Sequence, residues 1–217
     1  MLKRVLGVSV LGVSVVALQG DVSAHLAGTV YKPTYKHVSS YDCIGTFAQV
    51  PNLDAHPALF ECEAVVSAFD VLCANPEGKI TRGNSGPRTV TQVAEDMFTN
   101  ADITDKKKGK AQKTLRLPDE VLTAGDVVCK DRNLNWFATD EMVLSVDVRL
   151  KTFNCLNEDC SNRTQAFEAL LSCTVPPGFD IVANPLPGTP ENPIGTDYDC
   201  TLLEEAHCDK GDACPIP

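Results

Sequence analysis

The sequence predicts an antiparallel β-sandwich stabilised by disulfides, and three observations lead to this fold class. Several short segments alternate apolar and polar residues with the period of two that half-buried strands require. Clusters of Pro, Gly, Asn and Asp separate these segments, as turns do in antiparallel sheets. All ten cysteines follow the first 24 residues, and an even number of cysteines in an exported chain predicts disulfides.

The chain divides into three segments by composition. Residues 1–24 begin with basic residues, continue with an apolar stretch and end in small residues, which is the pattern of a cleaved secretory signal. Residues 25–175 carry the strand patterns and form the predicted sandwich, with no transmembrane segment expected after signal cleavage. Residues 176–217 are rich in proline and acidic residues. They predict a Pro-rich, Cys-containing C-terminal extension, with a small disulfide-tied module whose helix begins at Thr201.

The first half of the sandwich domain contains one long strand pattern and several weaker ones. In residues 60–74 the apolar parity switches after Ala68, which predicts a β-bulge or a strand that changes sheets. Residues 42–50 form a weaker strand pattern. Residues 89–98 fit a helix start or a short strand, and residues 100–113 are predicted to be a lysine-rich loop.

The clearest pattern is a hairpin between residues 142 and 175. A polar turn separates its two strands, and Cys155 and Cys160 at the ends of this turn are predicted to form a disulfide. If the two cysteines lie opposite each other, the apolar residues share one face, which specifies the register. The predicted pairs are Val148 with Phe167, Val146 with Ala169, Leu144 with Leu171 and Met142 with Cys173.

The other eight cysteines are expected in disulfides as well, but the sequence leaves their connectivity open. Either Cys73 or Cys129 is expected to bridge to a neighbouring strand, and the cysteines of the extension are expected to pair within or near it. The remaining candidates are Cys43, Cys62, Cys173, Cys200, Cys208 and Cys214.

Composition and motifs exclude several classes of function. With 19 basic and 29 acidic residues the formal net charge is −10, which argues against binding nucleic acid or anionic lipid. No phosphate-binding glycine loop, dinucleotide fingerprint or haem-attachment motif occurs in the sequence. Residues 83–87 resemble the nucleophile loop of trypsin-like serine proteases, but His37 and His56 lie too close in sequence to serve as its base. No catalytic residues are predicted.

His25 is the one residue that points to a cofactor. If the signal is cleaved after Ala24, the exported chain begins with His25, whose amine and imidazole together suit copper(II). A second imidazole would come from His37, His56 or His207. On this residue the chain resembles lytic polysaccharide monooxygenases and periplasmic copper carriers. The resemblance implies a copper site with His25, His37 and His56 as candidate ligands, in a carrier or an oxidative, polysaccharide-active protein.

The export signal and the disulfides favour a secreted or periplasmic protein that is not an enzyme. We expect a structural or binding component of a surface, matrix or filament, with a protein partner or self-assembly and no nucleic acid. Residues 176–217 would act as an arm that adds a strand to a neighbouring subunit. The copper protein is the alternative. The five lysines between residues 106 and 113 fit either a docking patch or a solvated loop.

Overall fold

Strand is the dominant secondary structure, as the alternating pattern predicts. The structure is a computed structural model, and it describes residues 34–37, 41–48, 53, 57–86, 88–118, 127–129, 135–182, 196–208 and 211–216. Within these ranges there is no α-helix, and a 3-10 turn lies at Asn100–Asp102. The strands are β1 (Thr34–His37), β2 (Tyr41–Phe47), β3 (Ala58–Ala74), β4 (Ile80–Ser85), β5 (Val90–Met97), β6 (Ile103–Asp105), β7 (Lys110–Leu117), β8 (Val127–Val128), β9 (Phe137–Cys155), β10 (Arg163–Thr174), β11 (Thr196–Asp197) and β12 (Asp199–His207).

These strands form two antiparallel sheets. The smaller sheet has the order β11-β1-β2-β7-β6. The larger sheet has the order β12-β10-β9-β3-β4-β8, with β5 paired to β3 beside β4. Since β3 and β9 are the longest strands and pair along most of their length, they form the centre of the larger sheet.

The predicted bulge in β3 is present and lies where the apolar parity changes. The register between β3 and β9 shifts between Val66 and Ala68, and again between Ala68 and Phe69. Before the shift the alternating residues from Phe60 to Val66 are buried, and after it the consecutive residues Val71, Leu72 and Cys73 are buried, with Leu72 in the cluster between the sheets. The bulge therefore lets one long strand keep an apolar face on both sides of the irregularity.

One buried cluster contains side chains from both sheets. Cys43 of β2 forms a disulfide with Cys62 of β3, which joins the sheets covalently. The Phe47 ring of β2 lies edge-on to the Phe60 ring of β3, with the centroids 5.0 Å apart. Phe98 packs against both rings.

Two buried tyrosines bond the main chain of β9 next to the bulge, and a third packs against them. The Val143 N–H donates to the Tyr41 hydroxyl at 3.0 Å, and the Tyr198 hydroxyl donates to the Val143 carbonyl at 2.9 Å. The Tyr35 ring stacks on the Tyr41 ring at 5.7 Å. Burial raises the pKa of Tyr198, and the neighbouring Tyr41 and Tyr35 add to this shift. Burial thus favours the neutral hydroxyl of Tyr198 inside the core.

The predicted register of the β9–β10 hairpin is wrong by four residues. The observed pairs are Phe167 with Thr152, Ala169 with Leu150, Leu171 with Val148 and Cys173 with Val146. The reason is that Cys155 lies opposite Arg163, so the Cys155–Cys160 disulfide lies within the connecting loop instead of across the strands. A shift by an even number preserves the faces, and the apolar residues remain buried.

Two other local predictions are wrong. The helix predicted at Thr201 is strand β12, because residues 199–207 pair with β10 and Cys200 is bonded to Cys173 there. The loop predicted over residues 100–113 contains β6 and the start of β7. Residues 183–195, the centre of the proline-rich segment, lie outside the described residues.

Candidate binding surface on the larger sheet

The predicted copper ligands fall largely outside the part of the chain that the structure describes. His25 and His56 lie outside the described ranges, as does the side chain of His37, whose main chain in β1 pairs with Tyr41 and Thr196. His207 is described, and its Nε2 lies 2.7 Å from Glu205 Oε1. Among the described residues, no three His, Cys, Asp or Glu side chains are grouped so that they could hold a metal. The copper site therefore stays a prediction.

Every cysteine is bonded to another cysteine. Cys155 is joined to Cys160, the pair that the sequence predicts, and Cys200 reaches back to β10 instead of pairing within the extension. Since no free cysteine remains, none is a thiolate ligand or nucleophile. The five disulfides are Cys43–Cys62, Cys73–Cys129, Cys155–Cys160, Cys173–Cys200 and Cys208–Cys214.

The lysines between residues 106 and 113 do not form a single patch. Lys106, Lys107 and Lys108 are exposed at the turn between β6 and β7. Lys113 in β7 is buried, and its ammonium bonds to Asp96 at 2.7 Å and to Asp102 at 3.1 Å. Burial opposes its charge, but the two aspartates outweigh this and raise the pKa of Lys113. Lys113 is therefore a structural cation and belongs to no surface patch.

The larger sheet carries a network of ion pairs on its outer face, which we define as the face opposite to the buried cluster. Lys151 of β9 lies 3.0 Å from Glu61 and 3.3 Å from Glu63, both on β3. Arg163 of β10 lies 2.9 Å from Glu95 of β5 and 3.5 Å from Glu61. The network thus crosses four neighbouring strands.

Lys151 is held in its charged form by this network. Burial lowers the pKa of an ammonium, but the hydrogen bonds and charges of Glu61 and Glu63 outweigh burial and raise the pKa of Lys151. A lysine that stays protonated at neutral pH is a poor nucleophile or base. The arrangement is suited to a fixed charged surface, not to proton transfer.

Next to this network, Glu168 of β10 is fully buried although it belongs to the outer face. It lies opposite Lys151 on β9 and opposite Ala206 on β12. Its Oε1 accepts a hydrogen bond from Arg149 at 3.2 Å, and its Oε2 accepts one from the Gln165 amide at 2.7 Å. A buried carboxylate needs such partners, because an unpaired one would cost several kcal/mol (about 3–5).

The third partner of Glu168 is the main chain of Ile216. The Ile216 N–H donates to Glu168 Oε2 at 3.0 Å, and the Ile216 carbonyl accepts from Arg149 Nη1 at 3.0 Å. The Ile216 side chain is itself buried. Residues 214–216 follow the Cys208–Cys214 disulfide, so a covalent loop holds this segment beside the end of β12. We call Glu168, Arg149 and Gln165 the peptide clamp.

In comparisons with protein-family models, curated proteins and solved structures, nothing matches this chain. Among the described residues, no helix is long and apolar enough to cross a membrane.

The chemistry of the peptide clamp is recognition of the main chain of one residue. A carboxylate accepts the N–H and a guanidinium donates to the C=O of the same residue, which are the two polar groups that each non-proline residue offers. The sequence analysis did not identify this site, since in the predicted register Glu168 lay opposite Asp147. The available signal was limited to Arg149 and Glu168, which alternation places on the outer faces of two strands whose pairing was predicted. Gln165 has the parity of the buried Phe167, and the bulge between these two residues brings it to Glu168.

Proposed function

We propose that the protein is an exported, disulfide-stabilised β-sandwich that acts by binding or assembly, as a non-enzymatic component of a surface, matrix or filament. The pairing of all ten cysteines in five disulfides carries this proposal. Such bonds persist in oxidising compartments outside the cytoplasm and are rare inside it. The signal pattern of residues 1–24 supports the same location outside the cytoplasm.

The sandwich arrangement is supported by contacts between the two sheets. The Cys43–Cys62 disulfide and the ring contact of Phe47 with Phe60 both join β2 to β3. The hydroxyls of Tyr41 in β2 and of Tyr198, which directly follows β11, bond to Val143 in the larger sheet. An apolar core between two antiparallel sheets is the layer architecture that buries one face of each.

The edge of the larger sheet at β12 is poorly suited to direct pairing with another chain. Leu202 and Glu204 pair with consecutive residues of β10, so Leu203 between them is the extra residue of a bulge. At the other end of β12, Asp212 accepts the N–H of His207 at 2.8 Å. Bulges and occupied main-chain groups are devices that prevent edge pairing. Association through a proline-rich arm is therefore favoured over pairing at β12.

A replacement within the proline-rich segment tests the assembly part of the proposal. Deleting residues 176–217 would remove β11, β12 and Cys200, so we instead replace residues 183–195 with a Gly/Ser segment of equal length. The mature protein should self-associate with rising concentration in light scattering, and the replacement should be monomeric. A variant with residues 183–195 in scrambled order serves as the composition control. A mature protein that stays monomeric at every concentration would show that the assembly proposal is wrong.

A further inference from the structure

The burial of Glu168 depends on a segment that lies far from it in sequence. Charged side chains are almost never fully buried unless they are paired, and alternation would place Glu168 in solvent. The residue that closes the site is Ile216, which is 48 positions away and contributes both of its main-chain polar groups. The site is therefore complete only when a peptide segment is present.

We propose that the peptide clamp is a binding site for a short peptide segment with an apolar side chain, that residues 214–216 of the chain fill it, and that the Cys208–Cys214 disulfide keeps it filled. Glu168 and Arg149 select the main chain of one residue by its N–H and C=O, and the buried side chain of Ile216 shows that an apolar residue is accommodated beside them. The inference goes beyond the proposed assembly, because it can hold for a monomer.

The clamp can be empty without leaving an unpaired charge. Glu168 and Arg149 lie 3.2 Å apart and remain partners of each other when the segment is absent. Gln165 keeps its own hydrogen bond to Glu168, and water can reach the atoms that Ile216 covers. The segment is thus an exchangeable ligand, in contrast to the buried tyrosines of the core.

The disulfide that holds the segment is the most accessible of the five. Cys208–Cys214 is the one pair in which neither residue is buried, whereas each other pair contains at least one buried cysteine. An external dithiol can open it: the dithiol gives up two electrons and two protons and closes to its own disulfide, while the Cys208–Cys214 bond becomes two thiols. The closed loop gives the segment a high effective concentration at the clamp, and opening the loop lowers it.

The test compares two double variants of the full-length mature protein by amide NMR. Cys208→Ser with Cys214→Ser opens the loop beside the clamp, and Cys155→Ser with Cys160→Ser opens a loop of similar length between β9 and β10. The probe is the blocked tetrapeptide Ser-Pro-Ile-Pro, which copies the segment with serine in place of cysteine. Amides of β9 and β10 report whether each variant is folded, and mild reduction of the unmodified protein gives a second route to the open loop.

We expect the Ile216 amide to exchange at least about tenfold faster in the Cys208/Cys214 variant than in the unmodified protein or the Cys155/Cys160 variant. The probe should shift the amides around Glu168 in the Cys208/Cys214 variant at millimolar concentration, and not in the other two proteins. Adding Glu168→Gln to that variant should weaken probe binding by about tenfold, since a charged acceptor is replaced by a neutral amide. Unchanged exchange at Ile216 would overturn the role of the disulfide. Fast exchange without probe binding would overturn the binding site.

Discussion

Removing the Tyr41 hydroxyl should destabilise the fold, because the substitution Tyr41→Phe leaves a buried N–H without an acceptor. The Tyr41 side chain is 1% exposed, Val143 is 0% exposed, and the hydrogen bond between them is 3.0 Å long. Phenylalanine keeps the ring and its stacking on Tyr35, so no cavity is created. The expected loss in the free energy of unfolding is therefore that of one unsatisfied buried donor, about 1–3 kcal/mol. For a domain of this size, a loss of about 2 kcal/mol lowers the midpoint of thermal unfolding by about 4–8 °C.

Urea unfolding followed by far-UV circular dichroism measures this loss as a lower midpoint at an unchanged slope. The companion substitution Tyr198→Phe removes the donor to the Val143 carbonyl and the bond between Tyr198 and Tyr41. Because the two hydroxyls belong to one network, the double variant should lose less than the sum of the single losses, by at least about 0.5 kcal/mol. A Tyr41→Phe protein that unfolds at the same urea concentration as the unmodified protein would refute the reasoning.

Three further predictions concern charge, pH and copper. Lys113→Met should lower the urea midpoint by the equivalent of about 1–3 kcal/mol, since Asp102 and the Met97 carbonyl lose a buried donor, while Lys107→Met at the exposed turn should leave it unchanged. The pKa of Tyr198 is raised above its ordinary value of 10.0, so the folded state keeps a proton that the unfolded state releases. The free energy of unfolding should thus fall as the pH rises above about 10, and Tyr198→Phe should remove that part of the slope. Sequencing the exported protein from its amino end should give His25, and a copper titration should then saturate tightly; another first residue, or no tight binding, would exclude the copper site.

The sequence predicts correctly those features of the fold that depend on the strict alternation of apolar and polar residues along a strand. The parity change at Ala68 corresponds to an observed bulge, because the β3 pattern is long enough for both parities to be visible. The hairpin of β9 and β10 was predicted with the correct faces, since burial selects the parity of a strand. The register itself was wrong, because parity is the same for any shift by two or four residues. A disulfide inside the loop does not align the two strands. The alternating pattern alone cannot show whether the Cys155–Cys160 bond lies within the loop or across the strands.

Local signals failed where tertiary pairing decides the structure. The Thr201 motif fits a helix cap, but the same residues form a strand because Cys200 is bonded to Cys173 and β10 offers an unpaired edge. Lys113 was placed in a lysine-rich loop, as part of a docking patch or of a solvated charge run. It is buried because Asp96 and Asp102 approach it from other segments, a juxtaposition that no local window contains.

The peptide clamp was beyond sequence reasoning for a related reason. The polar partners Arg149 and Glu168 were each assigned to outer faces, which is correct, but the segment that covers them comes from the extension. Nothing in the spacing of Ile216 marks it as buried, since it lies between two prolines outside any periodic pattern. A site formed by a strand and a distant irregular segment becomes visible only when the topology is known.

Three of the disulfides enclose much longer chain segments than the disulfide beside the clamp does. Cys43–Cys62, Cys73–Cys129 and Cys173–Cys200 span 19, 56 and 27 residues, and each restricts the unfolded chain by about 3–4 kcal/mol in the chain-entropy model. Cys208–Cys214 spans 6 residues, for which the same model gives about 2 kcal/mol. Opening it therefore costs the fold less than opening any of the three long bridges in this chain-entropy model, and neither Cys208 nor Cys214 lies in a strand. The bond whose opening uncovers Glu168 is thus one that the protein can lose while both sheets remain intact.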